Sequence, residues 1–274
     1  MSQEYGHPGG LGRLQQDDPR DVPLETLMAV QSSFTPTTTL QDLANDPNFD
    51  YWSIYVLWRY IRSLRAQPPP PAPPEVPTSK TWDDPRATLD QGHTNHCVGN
   101  GCAQWGNTSP VNDNYDEQAA ANIYYAAKVI DGDPGSEEGT YVRSGMKVLQ
   151  NMKRLAAYAR PSNLDDLANW ILTKGPVTVG TNWYESMFTL GPDHRAQIDE
   201  SVISPETGKP VAGGHCYLVL GYDPGRASRE FECLNSWGSR WGDNGHFFLA
   251  KADLNRLVFT EPGEAWCSVE LPLP

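Results

Sequence analysis

A cysteine becomes a strong nucleophile when a histidine shares its proton, because an imidazolium stabilises the thiolate near neutral pH. The histidine needs an orienting partner, and an asparagine carbonyl can accept its second ring N–H without adding charge. Acyl transfer also needs donors aimed at the developing oxyanion, which a glutamine side-chain amide and a backbone N–H can supply. The chain offers Gln91, Cys97, His215 and Asn235 in that order. Cys97 closes the stretch DQGHTNHC, His215 sits in VAGGHCYLVLGYD, and Asn235 opens NSWGSRWGDNGHFFL. Each has a plainer reading when taken alone. A free cysteine is most often a small buried hydrophobe, a lone histidine a satisfied core residue, and Asn-Ser-Trp-Gly a turn.

Elements able to position these residues follow from patterning. VGNGCAQWGN, just after Cys97, is expected to start a helix. DEQAAANIYYAAKVID predicts a strong helix with Ala119, Ile123, Tyr124, Ala127 and Ile130 near one face. TYVRSGMKVLQNM and NLDDLANWILTKG predict two more, the latter capped by Asn163 and stopped by Gly175. Beyond Pro176 the pattern becomes that of strands: PVTVGTNW, HCYLVLGYD, EFECLNSW and GHFFLAKA, divided by Gly, Pro and Asp turns. Helices followed by strands imply an α+β fold with a mainly antiparallel sheet. Upstream, PLETLMAVQSSF and the aromatic-rich run around Trp52 to Leu64 predict two helices, and AQPPPPAPPEVP a polyproline spacer. The chain thus divides into an N-terminal extension, 1–78, and a compact domain, 79–274.

With the quartet and its surroundings in view, the sequence resembles the papain-like cysteine peptidases. Gln91 lies six residues before Cys97, GGHCYLVLGY matches the family's histidine strand, and the NSWG, WG and G run is present in full. The resemblance covers about Trp82 to Cys267 and implies a helical subdomain around the nucleophile helix, a barrel-like antiparallel sheet subdomain, and a cleft between them. It implies Cys97 as nucleophile, His215 as acid and base, Asn235 as the ring's orienting partner, and Gln91 with the Cys97 amide as oxyanion donors. Trp237 matches the tryptophan that shields the His–Asn hydrogen bond. EEGTYVRSGMKVLQ and WILTKGPVTVGTNWYESMF resemble bacterial and phage members, which makes Gly139 and Thr140 expected substrate contacts on the non-prime side of the cleft.

Two departures matter. Thr94 stands where a disulfide cysteine is usual, and Val98 replaces the aromatic after the nucleophile. The family's long propeptide signature is not recognisable in residues 1–78, for which three readings stand: a pro-like inhibitory segment on the protein's own cleft, an interaction module for a particle component, or a structural arm. His93 and His96 are expected to be exposed loop histidines, Cys102 to be core, Cys216 to face away from His215, and Cys233 and Cys267 are candidates for pairing.

The totals bound the rest. A net charge of −13 and a pI near 4.8 argue against nucleic acid and anionic membrane partners. No run of about 18 apolar residues and no signal peptide is visible. Synthesis in the cytoplasm is expected, with virion association or release by lysis as alternatives. Five cysteines without regular spacing define neither a disulfide framework nor a metal site. The expectation is a thiol peptidase acting on peptides or proteins, without metal or organic cofactor. The alternatives are related acyl transfer, cell-wall peptide cleavage, a non-enzymatic binding module that retains the fold, and processing of neighbours in a phage or other particle.

Overall fold

The computed structural model of the chain describes residues 11, 13, 14, 77–84, 86–136 and 138–271. The two upstream helices and the polyproline spacer expected from sequence lie outside these residues. The order is β1 (Arg13–Leu14), β2 (Lys80–Thr81), α1 (Cys97–Asn107), α2 (Glu117–Asp131), β3 (Thr140–Tyr141), α3 (Val142–Asn151), β4 (Leu155–Ala159) and α4 (Leu164–Thr173). There follow β5 (Val177–Tyr184), a 3₁₀ turn, β6 (Val211–Tyr222), β7 (Phe231–Leu234), β8 (His246–Leu249), α5 (Lys251–Asn255), a π turn and β9 (Glu264–Glu270).

Local chemistry accounts for several boundaries. The Asp116 side chain accepts the Ala119 N–H at 2.8 Å to start α2, and Gly132, with φ +84°, ends it in the left-handed region. Asn163 caps α4 as its sequence predicts, accepting the Asp166 N–H at 2.9 Å. Helix α1 has no such cap and carries three glycines, poor helix formers. It is helical because every one of its residues is buried. A Cβ on Gly99 would overlap the Ala120 carbonyl oxygen of α2, and one on Gly101 would come within 2.8 Å of Cys216 Sγ on β6. Only glycine lets α1 fit between α2 and the sheet.

Strands β4, β9, β5, β6, β7 and β8 form the sheet in that order, every pair antiparallel, with β2 added beside β6. The path is open, because β4 and β8 at its ends do not pair with each other. Strand alternation along β6 feeds two cores. Tyr217 and Val219 join Trp183, Phe231 and Phe247 with α4, whereas Cys216, Leu218 and Leu220 join Val98, Cys102, Trp105, Met146 and Leu149 of the helices. The fold is α+β, with helices gathered against one antiparallel sheet.

Several expectations are corrected by packing. The buried face of α2 is Ala120, Ile123, Tyr124, Ala127 and Lys128, while Ile130 is exposed, because the neighbouring helices meet it along a slightly rotated stripe. His96 is buried, its ring stacked on Tyr124 at 4.1 Å between centroids, whereas His93 is exposed as expected. Strands β4 and β9 had no sequence forecast. The register sets Cys267 opposite Val177, Val177 opposite Val219, and Val219 opposite Cys233. Three strand spacings separate the two cysteines by about 14 Å, too far for a bond. None of the five cysteines, all buried, forms a disulfide.

Candidate active site

Cys97 is the first residue of α1 and is fully buried. Gly101, one turn further along the same helix, abuts Cys216, the residue after His215 on β6. The start of α1 is thereby carried towards the strand that holds the histidine. His215 is fully buried in an aromatic box: Trp183 and Trp237 each lie 4.9 Å away between ring centroids, and Tyr217 lies 6.3 Å away.

The ring is oriented from one side. His215 Nε2 is 2.8 Å from Asn235 Oδ1, which also accepts the Ser236 N–H at 2.8 Å. An amide oxygen only accepts, so Nε2 carries the proton and Nδ1 of the neutral ring keeps its lone pair. Nδ1 is buried without a hydrogen-bond partner among the described residues. Burial pushes the imidazole down to about 4, against the opposing pull of the Asn235 hydrogen bond. The ring is therefore a neutral base at ordinary pH. Burial raises the Cys102 and Cys216 thiols, which marks both as packing residues and agrees with the sequence reading.

Two loops bring Gln91 to the same place. Its backbone N–H donates to the Ser236 carbonyl at 2.9 Å, and the Gly238 N–H donates to the Leu89 carbonyl at 3.0 Å. The Gln91 side chain is held at both ends: Oε1 accepts from Ser236 Oγ at 2.6 Å and Nε2 donates to the Thr94 carbonyl at 2.8 Å. One of the two Nε2 hydrogens is engaged by that carbonyl. Trp237, 4% exposed, stacks on Phe188 and lies against the His215 ring, and both His215 and Asn235 are fully buried.

Gly139 and Thr140 lie apart in sequence from this cluster and are anchored from α2. The buried Lys128 ammonium donates to the Gly139 carbonyl at 2.9 Å and pairs with Asp133. The Thr140 and Ser144 hydroxyls both donate to the Asp131 carboxylate. The backbone of Thr140–Tyr141 pairs in parallel with Arg13–Leu14.

Ser236, Trp183, Lys128 and Asp131 join the surroundings of the site only in the fold. Ser236 belongs to the NSWG run and is legible there. The other three carry no spacing signal, since their partners come from other elements. Among the described residues no group of three or more His, Cys, Asp or Glu side chains could hold a metal ion. Nor is any described helix long and apolar enough to cross a membrane.

A helix that begins at a cysteine thus packs against the strand whose histidine is hydrogen-bonded to an asparagine, in an α+β fold of the cysteine-protease type. Residues 100–261 match the family described as papain family cysteine protease, and the chain belongs to that family. It is 27% identical over 99 residues to a gut-specific cysteine proteinase of Caenorhabditis elegans, covering 36% of this chain and 27% of that one. It is 34% identical over 83 residues to cathepsin B of Dictyostelium discoideum, covering 30% and 24%. The match thus spans about a quarter of the length of these relatives. Among solved structures, xylellain, a cysteine protease from Xylella fastidiosa, superposes with a TM-score of 0.60 at 17% identity, over 99% of this chain and 100% of that chain. Procathepsin B S9 from Trypanosoma congolense gives 0.54 at 12% identity over 77% and 85%. Both show the same fold.

Proposed function

We propose that the protein is a cysteine endopeptidase that cleaves peptide bonds through an acyl-enzyme on Cys97. The observation that carries this reading is the His215–Asn235 pair, dry, oriented through Nε2 and with Nδ1 unpartnered, on the strand against which α1 packs. His215 Nδ1 takes the thiol proton as sulfur attacks the substrate carbonyl carbon. The C–S bond forms while the carbonyl π pair moves to oxygen. A Gln91 Nε2 hydrogen and the Cys97 backbone N–H stabilise that oxyanion. Its collapse breaks the C–N bond, and His215 gives its proton to the departing amine. His215 then removes a proton from water, which attacks the thioester and releases the carboxylic acid and the thiol.

In this reading residues 79–274 are the catalytic unit and the Thr140–Tyr141 edge receives an extended peptide backbone. The parallel pairing of Arg13–Leu14 with that edge supports both this role and the docking of the N-terminal segment on the protein's own cleft. The test is cleavage of a peptide library by the full chain, together with labelling by a thiol-directed epoxide. Cys97→Ala is expected to lower cleavage at least about 1000-fold and to abolish labelling. Undiminished cleavage by that variant, or labelling of another cysteine, refutes the assignment.

A further inference from the structure

Cys97 and the residue before it share one peptide unit, with the His96 carbonyl at one end and the Cys97 N–H, the proposed oxyanion donor, at the other. A peptide unit is planar, so whatever fixes its carbonyl also aims its N–H. One residue fixes it twice. The Asn100 backbone N–H and the Asn100 side-chain Nδ2 both donate to the His96 carbonyl, each at 3.0 Å. The backbone bond is the ordinary first bond of a helix, whose acceptor is the carbonyl of the residue just outside it. The bond from Nδ2 is an addition. The unit needs holding, because His96 lies outside the helix, with ψ 18° in place of the helical value of about −42°. No side chain caps α1. His96 is held through its ring instead, stacked on Tyr124, and α1 comes so near that a Cβ on Gly99 would lie 2.9 Å from the Tyr124 Cβ.

Stability alone does not account for an asparagine at this position. Asn100 is 2% exposed, and its Oδ1 is buried without a hydrogen-bond partner among the described residues. An amide half satisfied in the interior is destabilising, and asparagine is a poorer helix former than alanine. What the side chain contributes is one bond, and that bond falls on the peptide unit of Cys97. Besides fixing the plane, hydrogen bonds accepted by the carbonyl polarise the unit and strengthen its N–H as a donor.

We propose that Asn100 is a positioning residue for the oxyanion: by gripping the His96 carbonyl it aims and polarises the Cys97 N–H towards the oxygen that becomes negative when sulfur attacks. The inference rests on the Cys97 reading and adds to it a residue that acts through the backbone without touching substrate. Removing an oxyanion donor outright costs about 100- to 1000-fold in kcat. In the absence of the Asn100 amide the Cys97 N–H is still present and only its aim and polarisation are lost, so the effect is smaller, about 10-fold.

The test compares the full chain with its Asn100→Ala and Asn100→Ser variants in two reactions: peptide cleavage, and alkylation of Cys97 by iodoacetamide followed by mass spectrometry. Displacement of iodide at a methylene carbon builds no oxyanion, so alkylation reports the thiol and the fold but not the oxyanion donors. N100A is expected to lower kcat about 10-fold with KM and the alkylation rate each within about 2-fold of wild type. N100S is expected to recover kcat to within about 3-fold, because a helical serine hydroxyl can donate to the carbonyl four residues back, as the Thr108 hydroxyl does to the Gln104 carbonyl at 2.8 Å. An unchanged kcat in N100A, a parallel fall in alkylation, or no recovery in N100S overturns the positioning role. Wild-type protein that is alkylated at Cys97 but cleaves no peptide refutes the Cys97 reading and this role together, whereas cleavage by wild type with any of those three results refutes the role alone. If N100A fails to fold, Asn100→Leu, which fills the space without a donor, is carried through both reactions.

Discussion

Acidification is expected to unfold this protein partly through one ring. Burial holds His215 at about 4, against 6.5 for an unhindered imidazole. Between those values the unfolded chain binds a proton that the folded chain refuses. Stability therefore falls as pH drops through this window, and the contribution is flat above 6.5 and complete below about 4. At about 1.4 kcal/mol per unit, the gap of 2.5 is worth about 3 kcal/mol. Urea denaturation of the full chain and of His215→Gln across this range checks it, because the carboxylates titrate in both and cancel in the difference. The wild type should lose about 3 kcal/mol more than the variant on acidification. A difference that does not change with pH, or an NMR titration of the ring with a midpoint at or above 6.5, refutes the argument. That outcome would mean the resting site stores an imidazolium against a Cys97 thiolate instead of a neutral pair.

Asn235→Ala leaves the buried Nε2–H without its acceptor, and should cost about 1–3 kcal/mol in denaturant titrations and lower kcat about 100-fold with little change in KM. Trp237→Ala removes a ring packed on His215, Phe188 and Trp241. It should destabilise the fold by about 3–5 kcal/mol, read by the same titrations. Lys128→Met deprives the Gly139 carbonyl of its donor in a site where the ammonium is fully buried. A loss of about 1–3 kcal/mol is expected, with peptide kinetics showing a rise in KM larger than any fall in kcat.

The proposed catalytic quartet was legible because its four members sit in three short local patterns: Gln91 six residues before Cys97, the GGH strand, and the NSWG run. Helix α4 was legible for the same reason, since Asn163 and the periodicity behind it lie within one segment. Strand β4, LAAYA, was not, because three alanines give no alternation and its partner β9 lies more than 100 residues away. His96 looked like a loop residue until α2 brought Tyr124 beneath it. The stripe on α2 shifted to include Lys128 because that ammonium finds its partners in the turn from Asp133 to Gly139.

Taken alone, the sequence determined the family and that helices would precede a sheet, and it nominated the residues proposed to react, since all three are written in residue types at short spacing. It was silent on Arg13 and Glu264, which are 251 residues apart and carry no shared period. Only the tertiary fold, by laying β1 along β3 and closing β9 against β5, brought that guanidinium and that carboxylate together. Such a contact depends on distances across strands, and a one-dimensional pattern has no term for them.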